Sequence, residues 1–181
     1  MEKTLKIGKL DHDFLKQLLA KFPKTDKSII IPPGVGLDAA GIKTSNKYLA
    51  ITTDPITFST TNLGTYSVAV NINDVACLGC KPRWYLACLL LPIGTTKKQL
   101  ASICQNLASE LKRYDIQAIG GHIEVTKAVT TPVIVGQMIG EIIGNKLLTP
   151  QDGKSGDQIL LWRSVAIEGT ALLATKQHKL L

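Results

Sequence analysis

Residues 64–79 read GTYSVAVNINDVACLG. The apolar residues of this stretch recur at helical spacing and predict an amphipathic helix that ends at Gly79. Asn71 and Asp74 stand three residues apart and therefore share one face of that helix. The residues available for the buried face are Val68, Ile72, Val75 and Ala76. Asp is a poor helix former, so a polar pair here predicts a functional site, with a solvated helix face as the alternative.

Acidic residues also stand at the ends of two neighbouring elements. Asp38 follows a glycine-rich loop, and Asp54 follows the β-rich run 48–53, where Pro55 is predicted to end the strand. Backbone N–H groups of such a loop can cradle phosphates, and Mg²⁺ is held by one or two carboxylates plus substrate phosphates. Since no positive residue adjoins these acids in sequence, they predict an ATP–Mg²⁺ site. The alternative for each is an acid that caps an ordinary turn.

A third group follows the short predicted strand 116–119, where the chain reads GGHIE. Gly120 and Gly121 would let a ligand approach the backbone closely. His122 and Glu124 alternate, so their side chains share a face if the strand continues. His122 can then serve as an acid or base, or as a donor to a developing oxyanion. A hydrogen-bonded surface histidine is the alternative.

The amino-acid composition argues against several classes of protein. The 181 residues carry a net charge of +7, but Lys and Arg are scattered and lack interleaved aromatics, which argues against nucleic-acid binding. The N-terminus lacks the apolar segment of a signal peptide, and no apolar run reaches the length of a membrane span. These features predict a cytoplasmic protein with reduced cysteines. Cys77 and Cys80 have the spacing of a redox pair or of half a zinc site. We favour the alternative interpretation, in which both cysteines serve as small apolar residues at the end of a helix.

The remaining pattern predicts an α/β (α+β) domain with a mixed β-sheet and helices on one face. Its other predicted elements are a helix over 11–22, strands over 28–31, 83–91 and 133–143, and a helix from 95 or 96 to about 113. The uncovered sheet face requires a partner, either a second copy or another domain. A turn at 154–157, a strand over 158–162 and a helix from 167 predict that 1–150 is one domain and 151–181 begins another.

These motifs resemble the N-terminal half of the AIR synthase (PurM-like) superfamily. The matching segments are Gly36-Leu-Asp-Ala-Ala40, Thr52-Thr-Asp-Pro55, Asn71-x-Asn-Asp-Val-Ala76, Gly120-Gly-His-Ile-Glu124 and Ile167-Glu-Gly-Thr170. The opening Lys6-Ile-Gly-Lys-Leu10 and the Pro-Pro-Gly-Val-Gly loop look most like the HypE-type and AIR synthase-related branch. The Gly-Gly-His-x-Glu form looks more like AIR synthase and its relatives than like the kinases of the superfamily. The resemblance covers nearly the whole chain.

The resemblance implies a fold and an activity. In such proteins the N-terminal half pairs with a second copy so that their sheets form a dimeric β-barrel, and a separate C-terminal domain follows. Members use ATP and Mg²⁺ to phosphorylate an oxygen, here one of amide or carbonyl type, which activates it for dehydration or cyclisation. The implied partners are ATP, a small-molecule or protein-bound carboxamide, and a second copy of the chain. Without the C-terminal half, the chain alone is expected to be inactive.

The resemblance also assigns roles to residues. Asp38, Asp54 and Asp74 would hold the metal, and His122 and Glu124 would be catalytic. The implied nucleotide-binding residues are Gly36, Asp38, Asn71, Asn73, Gly120 and Gly121. Many relatives have two consecutive Asp residues in the first motif, whereas Leu37 occupies the first position here, which implies either weaker metal binding or a branch that uses fewer ions.

Two alternatives stay open. One is a small-molecule kinase of the thiamine-monophosphate kinase type, although such kinases tend to have Asp where this chain has His122. The other is a non-catalytic dimerisation module, which would form a homodimer and have no affinity for nucleotide.

Overall fold

The structure, a computed structural model, describes residues 4–23, 25–59 and 61–176, except the side chains of 175 and 176. The chain divides into two compact units, Met1–Leu148 and Thr149–Leu181. The elements of the first unit are α1 (His12–Leu19), β1 (Ile29–Ile31), β2 (Ala39–Lys43), β3 (Tyr48–Ile56), α2 (Leu63–Cys77), β4 (Cys80–Pro92), α3 (Lys97–Arg113), β5 (Gln117–Thr126) and β6 (Val133–Ile142). The second unit has a 3₁₀ turn at Pro150–Asp152 and α4 (Ile167–Lys176).

The first unit is built on one six-stranded sheet in the order β1-β2-β3-β6-β4-β5. Strands β4 and β5 pair in parallel, and the other neighbours are antiparallel. A parallel pair needs a crossover, which α3 supplies. Thr96 caps α3 in a capping box with Gln99. The mixed sheet that the sequence predicts is thereby confirmed.

The two faces of the sheet differ in what covers them. Helix α2 packs on β3, β4 and β6, and it also packs against α3. Fully buried side chains such as Val68 and Val75 of α2, Tyr85 of β4 and Met138 of β6 form the core between them. The opposite face, which we call the open face, has no helix over it in the described part of the chain. Its half-exposed apolar side chains are Leu49, Ile51, Leu86, Cys88, Leu90, Val135 and Ile139.

Three strands run further than the sequence predicts, among them β4, which spans Cys80–Pro92 instead of 83–91. Strand β3 continues through Asp54 and Pro55 to Ile56, paired with β6 throughout. The pairing of β2 with β3 ends at Thr52, so beyond it β3 is locally an edge where a missing N–H is tolerated. Strand β5 likewise continues through the glycine pair instead of ending there.

The predictions for α1, for the segment 158–162 and for the cysteines have mixed outcomes. Helix α1 begins as expected, with the Asp11 carboxylate accepting from the N–H groups of Asp13 and Phe14, but it ends at Leu19 rather than 22. The strand predicted over 158–162 is wrong, because no strand among the described residues pairs with this segment, whose Ile159 is fully exposed. No helix among the described residues is long and apolar enough to cross a membrane. All four cysteines are free, with Cys80 buried as predicted and Cys77 exposed.

Candidate functional site

Asp54 and Asp74 lie together where β3 passes under α2, and Asp38, itself exposed, joins them through its backbone carbonyl. Thr52, only 4% exposed, lies between them. Its hydroxyl oxygen is 2.8 Å from the Asp38 carbonyl oxygen and 2.7 Å from Asp74 Oδ2, and both are acceptors. Asp54 follows two residues later on the same face of β3 and is close enough to affect the titration of Asp74. Asp38, Asp54 and Asp74 with Thr52 form what we call the acidic cluster.

The electrostatics of the cluster are those of carboxylates that lack a counter-ion. Burial raises the pKa of Asp74 to about 6, and the neighbouring carboxylates of Asp54 and Asp38 add to the rise while the Thr52 hydroxyl opposes it. The ion pairs among the described residues include none of these aspartates. A cation placed here would therefore relieve the repulsion between the carboxylates.

The carboxylates of the acidic cluster suit a metal ion that also binds a phosphate better than a metal ion held by protein ligands alone. Within residues 4–23, 25–59 and 61–176, no three His, Cys, Asp or Glu side chains are arranged to hold a metal by themselves. A closed site made only of protein ligands is therefore not formed. Mg²⁺ usually keeps waters and takes one or two carboxylates together with substrate phosphates. The acidic cluster fits a cation that arrives with a phosphate ligand.

Asn71 lies in the core, away from solvent. Its side chain is fully buried, its Nδ2 donates to the Ser67 carbonyl oxygen at 2.8 Å, and its Oδ1 has no partner among the described residues. Gly136 of β6 makes room for it, since a Cβ there would lie 2.6 Å from Asn71 Nδ2. Its expected contact with nucleotide stays a prediction that this geometry does not support. Asn73, by contrast, is exposed on α2.

Two further polar side chains lie in the same part of the core, and the sequence did not single them out. The Ser67 and Tyr85 hydroxyls are 2.6 Å apart and fully enclosed. Burial raises the pKa of Tyr85 to about 12, so the phenol stays neutral at ordinary pH. A Ser and a Tyr at apolar positions of a helix and a strand gave no sequence signal, because only the fold brings them together.

His122 and Glu124 form a pair, as their alternation predicts, but away from the acidic cluster. His122 Nε2 is 3.0 Å from Glu124 Oε2 on the exposed edge strand β5. The strand register places His122 level with Cys88 and Val135, and Asp54 level with Gly136. Paired residues share a face and neighbours along a strand alternate, so the pair lies on the open face and Asp54 on the helix face.

The width of the sheet also separates His122 and Glu124 from the acidic cluster. Strands β4 and β6 lie between β5 and β3, which amounts to three strand spacings, or roughly 14 Å. Within one copy of the chain the structure therefore does not bring His122 and Glu124 together with the aspartates. Their catalytic role stays a prediction.

The predicted glycines have local structural reasons. Gly36 has φ of +76°, a conformation that favours glycine in the loop before Asp38. At Gly121 a Cβ would overlap the backbone of Ala87 on β4, so only glycine allows these strands to approach. The register of β4 and β5 shifts just before Gly120. A nucleotide contact at these glycines is not needed to explain them and stays a prediction.

A cavity of about 480 Å³ adjoins the acidic cluster. The loop at Pro32 and Pro33 forms one wall, and Ile51, Leu86 and Ile139 of the open face form its apolar floor. Asp38 and Thr52 of the cluster also line it, together with the Thr53 and Gln137 side chains. Of the cluster's aspartates it is Asp38 that lines the cavity, whereas Asp54 lies on the helix face of the sheet.

A mixed sheet that helices cover on one face, with a carboxylate cluster between the sheet and α2, defines a class of α/β domain. The family model described as AIR synthase related protein, N-terminal domain, matches residues 36–142, and the chain belongs to that family. The family that the motifs suggested is thus confirmed.

Individual relatives fall in two groups. A protein of Methanocaldococcus jannaschii named for hydrogenase expression and formation is 25% identical over 94% of this chain and 52% of its own length. Thiamine-monophosphate kinase of Haemophilus influenzae is 29% identical over 82% of this chain and 46% of its own. The chain spans about half the length of these curated relatives.

Solved structures agree with the fold. A crystal structure of hydrogenase maturation protein HypE superimposes with a TM-score of 0.66 and 26% identity, over 78% of this chain and 46% of that one. A HypE structure in complex with ATP gives 0.50 and 24%, over 61% and 35%. The PurM-like fold is therefore established, whereas pairing of two copies into a barrel is not part of these findings.

Proposed function

We propose that this chain is the ATP–Mg²⁺-binding N-terminal domain of an AIR synthase-related, HypE-like enzyme. The observation that carries the proposal is the convergence of Asp38, Asp54 and Asp74 around Thr52, without a cationic partner among the described residues. Family membership supports it, as does a HypE of the same fold that was crystallised with ATP.

Each element of the cluster has a part in the proposed site. The carboxylates of Asp54 and Asp74 would hold Mg²⁺, and Asp38 would complete the negative field around it. The bound ion would neutralise charge on the transferring phosphoryl group. In the full-length enzyme the proposed acceptor is a carboxamide or carbonyl oxygen, activated by phosphorylation for dehydration or cyclisation.

A kinase of the thiamine-monophosphate type is a second candidate, favoured by the relative in Haemophilus influenzae. Both candidates share the acidic cluster and differ in what becomes of the phosphorylated acceptor. With the full-length protein, a stable phosphorylated product and ADP would favour the kinase. A dehydrated or cyclised product with free phosphate would favour the first proposal.

The direct test is calorimetric titration of the chain with a non-hydrolysable ATP analogue, with and without Mg²⁺. We expect binding that requires Mg²⁺, and Asp54→Asn should weaken it by about 100-fold, since even outer-shell changes cost 10- to 100-fold. Asp115→Asn is the matched control, because Asp115 has a positive φ that Asn tolerates and lies in the turn after α3. An Asp54→Asn variant that binds like the parent would contradict the metal assignment.

We also propose that the open face is where a second copy packs. Its half-exposed apolar side chains run across β3, β4 and β6 beneath no described helix. Apolar surface of this extent on a central sheet is typical of an interface. Val135→Glu places a charge in the middle of that face and should convert a dimeric parent to a monomer in sedimentation equilibrium. Ile93→Glu, at an exposed apolar residue outside the face, should remain dimeric. A monomeric parent would rule the pairing out.

A further inference from the structure

The hydroxyl of the acidic cluster belongs to Thr52, and it links parts of the fold that are distant in sequence. Thr52 is buried in the middle of β3, yet its oxygen contacts the end of the glycine-rich loop and the side of α2. The distances are 2.8 Å to the Asp38 carbonyl oxygen and 2.7 Å to Asp74 Oδ2. Three separate elements therefore meet at a single oxygen atom.

We propose that Thr52 is a positioning residue for the acidic cluster. Its hydroxyl holds the backbone of Asp38 and the carboxylate of Asp74 in place before Mg²⁺ and nucleotide bind. This inference rests on the proposed function, because the cluster is the proposed metal site. Thr52 itself need not touch the ligand for this role, since orienting groups behind ligating carboxylates govern metal affinity.

The chemistry of a hydroxyl indicates that Thr52 links Asp38 to Asp74 rather than only filling space. A hydroxyl has one hydrogen to donate, so it serves the Asp38 carbonyl or Asp74 at any moment. Both acceptors must remain within reach of the same oxygen, which restricts the loop and the helix together. A buried hydroxyl without partners is costly, and Val would fill this strand position equally well. The hydroxyl is therefore explained by what it bonds.

The other hydrogen bond of Asp74, with Asp54, links α2 to β3 but does not reach the glycine-rich loop. Among the described residues, Asp74 has no ion pair, and the hydrogen bond from Thr52 is the one found for its carboxylate besides that with Asp54. Loop residue Leu37 donates its N–H to the Gly34 carbonyl oxygen at 3.3 Å, a long bond. Ladder pairing with β3 begins at Ala39, so at Asp38 itself the contact found with β3 is the Thr52 hydroxyl.

Two substitutions separate positioning from packing. Thr52→Val keeps the shape and removes the hydroxyl, whereas Thr52→Ser keeps the hydroxyl and removes a methyl group. If Thr52 only packs, Ser should be the more disruptive change. If it positions the cluster, Val should be disruptive and Ser should restore the parent behaviour. Thr44→Val is the matched control, since it removes a hydroxyl bonded to the Lys47 carbonyl oxygen at 2.9 Å in the β2–β3 turn.

The first readout is calorimetric affinity for Mg²⁺ with a non-hydrolysable ATP analogue. We expect Thr52→Val to weaken it by about tenfold, the lower end of what outer-shell changes cost, and the Ser and Thr44→Val variants to match the parent. The second readout is hydrogen exchange of the Leu37 amide in EDTA, where no metal takes part. Thr52→Val should speed this exchange several-fold, and Thr52→Ser should leave it unchanged.

The outcomes separate this inference from the proposed function. If the parent binds and Thr52→Val binds equally well, the positioning role is overturned. If the parent itself shows no Mg²⁺-dependent binding, the proposed nucleotide function of this chain fails, and the exchange experiment alone decides the inference. Faster Leu37 exchange in Thr52→Val but not Thr52→Ser then supports the positioning role, and equal exchange in all variants overturns it.

Discussion

Gly64→Ala is expected to lower the free energy of unfolding by about 3 kcal/mol, the upper end for overpacking a core. Gly64 is buried in the first turn of α2, and a Cβ there would lie 2.5 Å from both the Cα and the backbone N of Leu107 on α3. Backbone atoms cannot rotate aside as a side-chain end can, so the helices must separate. Urea denaturation followed by circular dichroism measures the loss.

The same separation would break a hydrogen-bond pair between the helices. Asn106 Oδ1 accepts from the Thr65 N–H at 3.1 Å, and its Nδ2 donates to the Thr65 hydroxyl oxygen at 3.0 Å. Gly144→Ala is the control, because a Cβ there meets nothing within 4 Å. It should unfold close to the parent. An unchanged urea midpoint for Gly64→Ala would mean that α2 and α3 do not approach as closely as these contacts require.

Local signals in the sequence identified the elements well where one residue type controls an end. Gly79 ends α2 with φ of +73°, and Thr96 opens α3 with its side-chain cap. Both effects are determined within one helical turn, so no tertiary information is needed. The alternation of strands and helices then sufficed for a one-sided mixed sheet.

Strand ends could not be predicted in the same way. Pro55 and the glycine pair at 120 and 121 look like stops when the chain is considered alone. In the fold Pro55 lies where β3 has lost one neighbour, and Gly121 allows close contact with β4. Whether a residue breaks a strand depends on what lies beside it, and the sequence does not show its neighbours.

The site was predicted in part for a similar reason. Carboxylates at element ends pointed to Asp38, Asp54 and Asp74, which the structure brings together. Thr52 belongs to a matching motif, but spacing alone assigns it no role, since its importance comes from two long-range hydrogen bonds. Spacing alone does not separate His122 from the aspartates, because it does not reveal the strand register that places His122 on the opposite face.

Asp74→Asn is expected to have two opposite effects. It should weaken Mg²⁺-dependent nucleotide binding by about 100-fold or more, because it removes a proposed ligand rather than an outer-shell partner. It should also stabilise the metal-free chain at pH 8. Asn is neutral and keeps an oxygen that can accept from Thr52, whereas the Asp carboxylate is charged in a half-buried position.

The pH dependence follows from the pKa of Asp74, which is raised from 3.8 to about 6 in the folded chain. Between these values the folded chain binds a proton that the unfolded chain has lost, so the stability of the parent falls as pH rises through this window. The advantage of Asn should therefore be absent near pH 4 and complete above pH 6. Its size should be about 1 kcal/mol, less than the full shift implies, because solvent screens a half-exposed group.

Urea denaturation in EDTA at several pH values measures this advantage, and titration with the nucleotide analogue measures the binding loss. Global disruption would lower both stability and affinity, so a variant that is more stable and yet fails to bind Mg²⁺ with nucleotide isolates the role of the charge. A variant less stable than the parent at pH 8 would show instead that the ionised Asp74 is compensated in the folded chain. The repulsion that makes the acidic cluster suited to a cation would then not exist.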